Sequence, residues 1–191
     1  MDCPHCGKRA PQDANFCPAC GWKLTAAREG QRRVVVTGVG AVTPLGLTAE
    51  DTWQGLVDGR SGIHTIERFD PSELPVRIAG EVRGFSVNDW VDPKTARQMA
   101  LFSQFAVASA GMALKDAGIA ADSFDPDRAA VVVGSGAGGM ATILETQELT
   151  NRRGLMRVSP FFMTTFPHNL PAYHVAQTFR FVGPSLTVST A

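Results

Sequence analysis

No cysteine follows position 20, no apolar run reaches 18 residues, and neither sign of charge prevails in this 191-residue chain, with 18 Lys+Arg against 18 Asp+Glu. The first absence confines thiol chemistry to the extreme N-terminus. The second excludes a membrane-spanning helix. The third argues against a dedicated nucleic-acid coat or a polybasic membrane surface. The opening Met1-Asp2-Cys3-Pro4-His5 has neither a basic n-region nor an apolar h-region, so no signal peptide is expected and the chain reads as cytoplasmic. Low-complexity tracts are absent too. What is present, 44% apolar and 19% charged residues, is a globular composition with room for one substantial core and a small accessory module.

The four cysteines form two matching pairs, Cys3-Pro-His-Cys6-Gly7 and Cys17-Pro-Ala-Cys20-Gly21. Two thiolates spaced in this way can face one point from a tight turn. The glycine that follows supplies the positive φ the turn needs, and the N–H groups of the turn can support the sulfurs. Two such turns make a tetrahedral four-sulfur site suited to Zn²⁺, with iron of the rubredoxin kind as the alternative. Disulfides would need an oxidising compartment. The pattern is similar to small prokaryotic zinc-ribbon modules that begin C-P-x-C-G and repeat it as F-C-P-x-C-G. So short a module has almost no apolar core, so a structural metal would supply most of its folding free energy, about 10–16 kcal/mol. Residues 1–33 hold Lys8, Arg9, Lys23, Arg28, Arg32 and Arg33 against Asp2, Asp13 and Glu29. That surplus leaves a protein or nucleic-acid partner for the ribbon open, beside the plainer reading of a solvated surface.

Residues 1–23 are thus expected to form a zinc ribbon, 24–32 a polar linker and 33–191 an α/β domain. Val34-Val35-Val36-Thr37, ending in Gly38-Val39-Gly40, predicts a buried strand entering a tight turn. Thr48-Ala-Glu-Asp51 predicts a capped helix through Trp53, Leu56 and Val57 that stops at Gly59. A short strand is expected around Arg77–Val82. Apolar residues from Met99 to Leu114 at spacings of three and four predict one helix from Ala96 to Ala117, stopped by Gly118. Strands are also expected at Ala129–Val133 and Ser185–Ser189. Alternating strands and helices imply a mostly parallel sheet covered on both faces.

Several motifs carry less than they offer. Gly134-x-Gly136-x-x-Gly139 after a strand lacks the acidic residue a dinucleotide site places about 20 residues later. No Gly-Lys-Ser/Thr makes a phosphate loop, and Val133 breaks a nucleophile elbow around Ser135. His64, His168 and His174 have no partner at a telling spacing and read as structural or surface residues.

The order of segments is more specific. Arg33-Val-Val-Val-Thr-Gly-Val-Gly-Ala-Val-Thr-Pro-Leu-Gly46, Trp53-x-x-Leu56 with Gly59-Arg-Ser-Gly-Ile63, Gly134-Ser-Gly-Ala-Gly-Gly139, Ser159-Pro-Phe-Phe162 and Gly183-Pro-Ser185 follow one another over about 160 residues. Together they resemble the β-ketoacyl-acyl-carrier-protein synthases of the elongating type. The resemblance implies the N-terminal part of a thiolase-like αβαβα fold, with about three of the five strands of its first sheet. It also implies a decarboxylative Claisen condensation in fatty-acid or polyketide synthesis, with acyl carrier protein and a homodimer partner. In that chemistry a helix-terminal cysteine thiolate takes the acyl group, an oxyanion hole stabilises the tetrahedral species and two histidines assist decarboxylation.

In the family the nucleophilic cysteine comes immediately after the Thr-Ala that closes this chain at Ala191, and both histidines lie further on. No catalytic residue is therefore assigned here, and the 191 residues are expected to be inactive alone and poorly soluble as a half-fold. Two substrate-site residues carry over. Ala137 falls at the family's acyl-pocket position, where a small side chain leaves room for medium or long chains. Phe162 matches a phenylalanine that reaches across the dimer toward the partner's pocket. Cys3, Cys6, Cys17 and Cys20 are the metal ligands. The competing reading is a non-catalytic zinc-ribbon adaptor, or a nucleic-acid- or protein-binding module, with a vestigial synthase half.

Overall fold

A computed structural model describes residues 1–11, 14–24, 33–120 and 123–190, arranged as two units, Met1–Val36 and Thr37–Ala191. In the first unit, each cysteine pair sits in a knuckle closed by the same two bonds. The Cys3 N–H donates to the Lys8 carbonyl and the Gly7 N–H to the Cys3 carbonyl. Cys17 pairs with Trp22, and Gly21 with Cys17, in the same manner, all at 2.7–2.9 Å. Gly7 and Gly21 take φ of +69° and +71°, which spares the chain the cost of a Cβ in the left-handed region. Single bridges, Asp2 with Arg9 and Phe16 with Lys23, complete the two hairpins. Leu24, expected at the head of the linker, is buried with Ala10 and the sulfur-bearing Cys3 and Cys17, and its N–H donates to the Asn15 carbonyl. The remaining linker positions, 25–32, lie outside the described residues.

The valine run departs from expectation. Val34, Val35 and Val36 are exposed (Val34 at 95%), and no strand forms there among the described residues. An all-apolar run asks for cover on both sides. The adjoining Thr37–Gly40 finds cover on one helix instead of a ladder. That helix, α3 (Leu101–Asp116), receives Gly38 and Gly40 against its backbone, and the Val39 N–H donates to Asp116 Oδ2 at 2.9 Å. A slot of about 270 Å³ lies between Thr37–Gly38 and Val131–Val132.

Helix α1 (Ala49–Val57) begins as expected, with the Thr48 hydroxyl accepting from the Asp51 N–H, and ends before Gly59 at φ +66°. β1 (His64–Thr65), which has no strand pattern in the sequence, pairs antiparallel with β2 (Ile78–Ala79) inside the expected 77–82 window. The single helix expected over Ala96–Ala117 is two. A short α2 (Pro93–Ala96), capped by Asp92, ends at Arg97, and α3 starts afresh at Leu101. The Gln104 side chain stabilises the break by donating to the carbonyls of Ala96 and Met99, both at 3.0 Å.

β3 (Val131–Gly134) and β4 (Ser185–Val188) pair in parallel, with Val131 opposite Ser185 and Gly134 opposite Val188. Between them run α4 (Met140–Arg153) and α5 (Leu170–Phe179), neither picked out by sequence periodicity. The core lies where α5 packs on α3 and on the sheet. Val107, Met99, Val131, Ala172 and Val175 are buried there, and Trp90 is admitted only because Gly111 has no side chain. The opposite face of the pair carries exposed Val132 and Leu186, so two parallel strands covered on one face replace the expected two-sided sheet. No helix among the described residues is long and apolar enough to cross a membrane.

Candidate functional sites

The knuckles bring all four Sγ atoms of Cys3, Cys6, Cys17 and Cys20 within 4.8 Å of one another. Two of the six separations, Cys3–Cys20 and Cys6–Cys17, are 3.7 Å. Sulfurs held tetrahedrally at about 2.3 Å from an ion stand about 3.8 Å apart, so the cysteines fit a closed four-thiolate metal site. So close a set of sulfurs cannot carry four charges independently. Desolvation pushes the Cys17 thiol up, but the N–H groups of Ala19 and Cys20 and the thiols of Cys20 and Cys6 outweigh it and bring Cys17 to about 7. The Trp22 N–H favours the Cys20 thiolate, yet desolvation and the thiols of Cys6, Cys17 and Cys3 push Cys20 up to about 12. One thiolate thus makes the next harder to form until a cation neutralises them. A site with four protein ligands has no open position for substrate.

The second candidate site grows from the sheet. β3 and β4 end side by side, and parallel strands commonly place ligands beyond such ends. Beyond Gly134 the Ser135 N–H donates to the Val188 carbonyl at 3.0 Å, and the Ser189 hydroxyl donates to the Gly136 carbonyl at 3.2 Å. The loop then folds onto segment 166–168. Gly138 takes φ +57° with His168 so near that a Cβ would stand 2.8 Å from its Cβ. The Gly139 N–H donates to the Phe166 carbonyl at 2.9 Å. Ala137 stands exposed at the tip.

Behind this loop is a cleft of about 460 Å³. Leu101, Phe102 and Phe105 of α3 form one wall, Ala141, Thr142 and Glu145 of α4 a second, and Phe161 and Phe162 a third. Phe162 is half-buried and stacks on Phe166, ring centroids 4.7 Å apart. The cleft therefore takes in Phe162, while Ala137 does not line it. Arg68 and Arg97 also border it, and both flanking helices start without a side-chain cap, at Ala100 and Gly139. Four aromatic and several small apolar side chains, with hydroxyls, the Glu145 carboxylate, two guanidiniums and two open helix N-termini, give a space of mixed polarity that can take an apolar chain beside polar groups. Sequence reasoning passed over both arginines.

The histidines divide. His64 is exposed on β1, and His168 presses on Gly138. His174 is half-buried on α5, its Nε2 has no partner, and burial lowers its pKa.

Comparison with known proteins matches this chain in two places. Residues 31–191 match the family described as "Beta-ketoacyl synthase, N-terminal domain", and residues 3–24 match a zinc-ribbon domain. A 3-oxoacyl-[acyl-carrier-protein] synthase 2 from Vibrio cholerae is 38% identical over 161 residues, 84% of this chain and 39% of that protein. Among solved structures, the ishigamide ketosynthase/chain length factor superposes with a TM-score of 0.77 at 30% identity, over 84% of this chain and 40% of that one. A β-ketoacyl synthase from Burkholderia phymatum does so with a TM-score of 0.68 at 28% identity, over 82% and 39%. The chain thus spans about two-fifths of the length of the relatives it matches.

Proposed function

The chain belongs to the β-ketoacyl synthase family, and from that premise we propose that residues 33–191 serve a 3-oxoacyl-[acyl-carrier-protein] synthase as its N-terminal part. The proposed reaction joins an acyl thioester to malonyl-carrier protein, with loss of CO₂, in fatty-acid or polyketide synthesis in the cytoplasm. The observation that carries this reading is the family match over residues 31–191, which takes in every motif from the opening valines to Gly183-Pro-Ser185, beside 38% identity over 161 residues to a synthase of that name. Carrier protein and a second copy of the chain are the proposed partners.

Ala137 and Phe162 are the proposed substrate-site residues. Ala137 sits at the strand ends, where its small side chain leaves length for a medium or long acyl chain. Phe162, beside the cleft, is proposed to reach the partner's pocket. The four cysteines are proposed to hold Zn²⁺, which would tie the two knuckles together and take no part in condensation; the zinc-ribbon match favours zinc over iron.

The test is condensation by the protein of the complete reading frame, given acyl- and malonyl-carrier protein and assayed for 3-oxoacyl product. Ala137→Ile should shift its preference toward shorter acyl chains. Absence of condensation with malonyl-carrier protein would reject the reading, and unchanged chain-length selectivity would reject the role of Ala137.

A further inference from the structure

We infer that the ribbon is a docking surface for single-stranded nucleic acid, built on the stacked rings of His5 and Trp22 and the cations Lys8, Arg9 and Lys23. The inference is independent of the condensation reaction, because these residues lie outside the synthase match.

Three observations carry it. First, His5 from one knuckle and Trp22 from the end of the other stack nearly parallel, with centroids 4.6 Å apart and 8° between planes. Trp22 is nevertheless 49% exposed, and Phe16 on the same hairpin 58%. The ribbon's small core is made by Cys3, Ala10, Cys17 and Leu24, without these rings. Large exposed aromatics on so small a module mark a contact surface, and flat rings offer stacking to any base. Second, cations follow each ring: Lys8 and Arg9 after His5, Lys23 after Trp22. Phe16 and Lys23 are also direct cross-strand neighbours, which puts a ring and an ammonium side by side. Third, the ribbon's sequence sets Lys8, Arg9 and Lys23 against Asp2 and Asp13, and Asp2 is the cross-strand neighbour of Arg9. Cations thus outnumber acids by one, and they lie in sequence beside the exposed rings. An acidic peptide would use the cations alone; a single strand uses the cations for phosphates and the rings for bases.

The test uses the 191-residue chain, loaded with zinc, and a labelled fifteen-nucleotide oligothymidylate read by fluorescence anisotropy. Three phosphate contacts at about 0.7 each give a log–log salt slope near −2, or about 20-fold weaker binding between about 50 and 200 mM salt. Trp22→Ala, with zinc content unchanged, should weaken binding about fivefold or more. His5→Ala gives the same reading if Trp22→Ala loses its zinc. Lys23→Gln should flatten the salt slope by about 0.7. Absence of binding at low salt would overturn the inference. So would full affinity in a zinc-retaining Trp22→Ala or His5→Ala variant, or equally tight binding of a polyglutamate peptide, which would point to an acidic protein partner.

Discussion

Gly40→Ala tests the contact that replaces the expected first strand. A methyl at Gly40 would lie 2.8 Å from Ala113 N and 2.9 Å from Met112 Cβ, and inside van der Waals distance of the Ser109 carbonyl oxygen. Ordinary contact begins at 3.4 Å, so the segment must lift from α3 by about 0.6 Å or more. The obstacles are mainly helix backbone, which cannot rotate away as a side-chain tip can. Overpacking of this kind costs about 1–3 kcal/mol. The lift also loosens the Val39 N–H bond to Asp116, worth about 1 kcal/mol. The expected loss is therefore about 2–4 kcal/mol, or about 5–15 °C in melting temperature for a chain this size. Gly136→Ala is the internal control. Nothing lies within 4 Å of its added methyl and its φ is not positive, so the stiffer unfolded chain should leave it neutral or stabilised by up to about 1 kcal/mol. Urea unfolding followed by far-ultraviolet circular dichroism reads both. If Gly40→Ala unfolds within about 0.5 kcal/mol of the parent, the close packing of Thr37–Gly40 on α3 is refuted.

Three further outcomes are expected. Arg180 closes α5 at φ +58°, a conformation that costs a side-chain-bearing residue about 1 kcal/mol; Arg180→Gly should raise stability by about that amount in the same urea assay. His174 is held below its ordinary pKa of 6.5 by burial. The unfolded chain takes up that proton first, so stability present above pH 6.5 should fall as the pH drops below it, and His174→Gln should flatten that part of the pH–stability curve. Metal binding must expel protons from thiols as reluctant as Cys20, at about 12, so zinc retained at pH 8 should be released on acidification, as a colorimetric chelator would register. Cys17→Ser should release it at a higher pH than the parent.

How much of this was legible depended on how local the cause was. The metal site is written within twenty residues: two cysteine pairs, each followed by a glycine whose positive φ closes its knuckle. Thr48 and Asp51 likewise announce α1 by a bond three residues long. β3 was visible as a valine run and β4 as a short β-prone segment, but such a stretch alone does not say which neighbours it finds. The same pattern at Val34–Thr37 therefore misled, because Gly38 and Gly40 fit α3 instead. The break before α3 hangs on one side chain, Gln104, reaching back eight residues to Ala96, and periodicity cannot register that. α4 escaped because it follows a glycine loop with no capping side chain and buries none of its residues; α5 escaped because Pro171 near its start reads as a breaker. The cleft draws on α3, α4 and the 159–165 segment together, and no window of sequence contains it.

The parallel pairing of β3 with β4 also sets a timetable. Val131 meets a partner 54 residues further along the chain, with α4 and α5 in between. At about 5–20 residues per second of synthesis, β3 leaves the ribosome about 3–10 s before the strand that completes it. No local hairpin can stand in, since a parallel partner needs its crossover first. Through that interval Val131–Val133 is a bare, β-prone edge, and α5, which covers it in the finished fold, emerges only late in the wait. Slow, non-local closure of this sort makes the nascent chain a client for chaperones and a hazard when expression is fast. Slower translation or a lower growth temperature should therefore improve the yield of soluble protein more than a stronger promoter does.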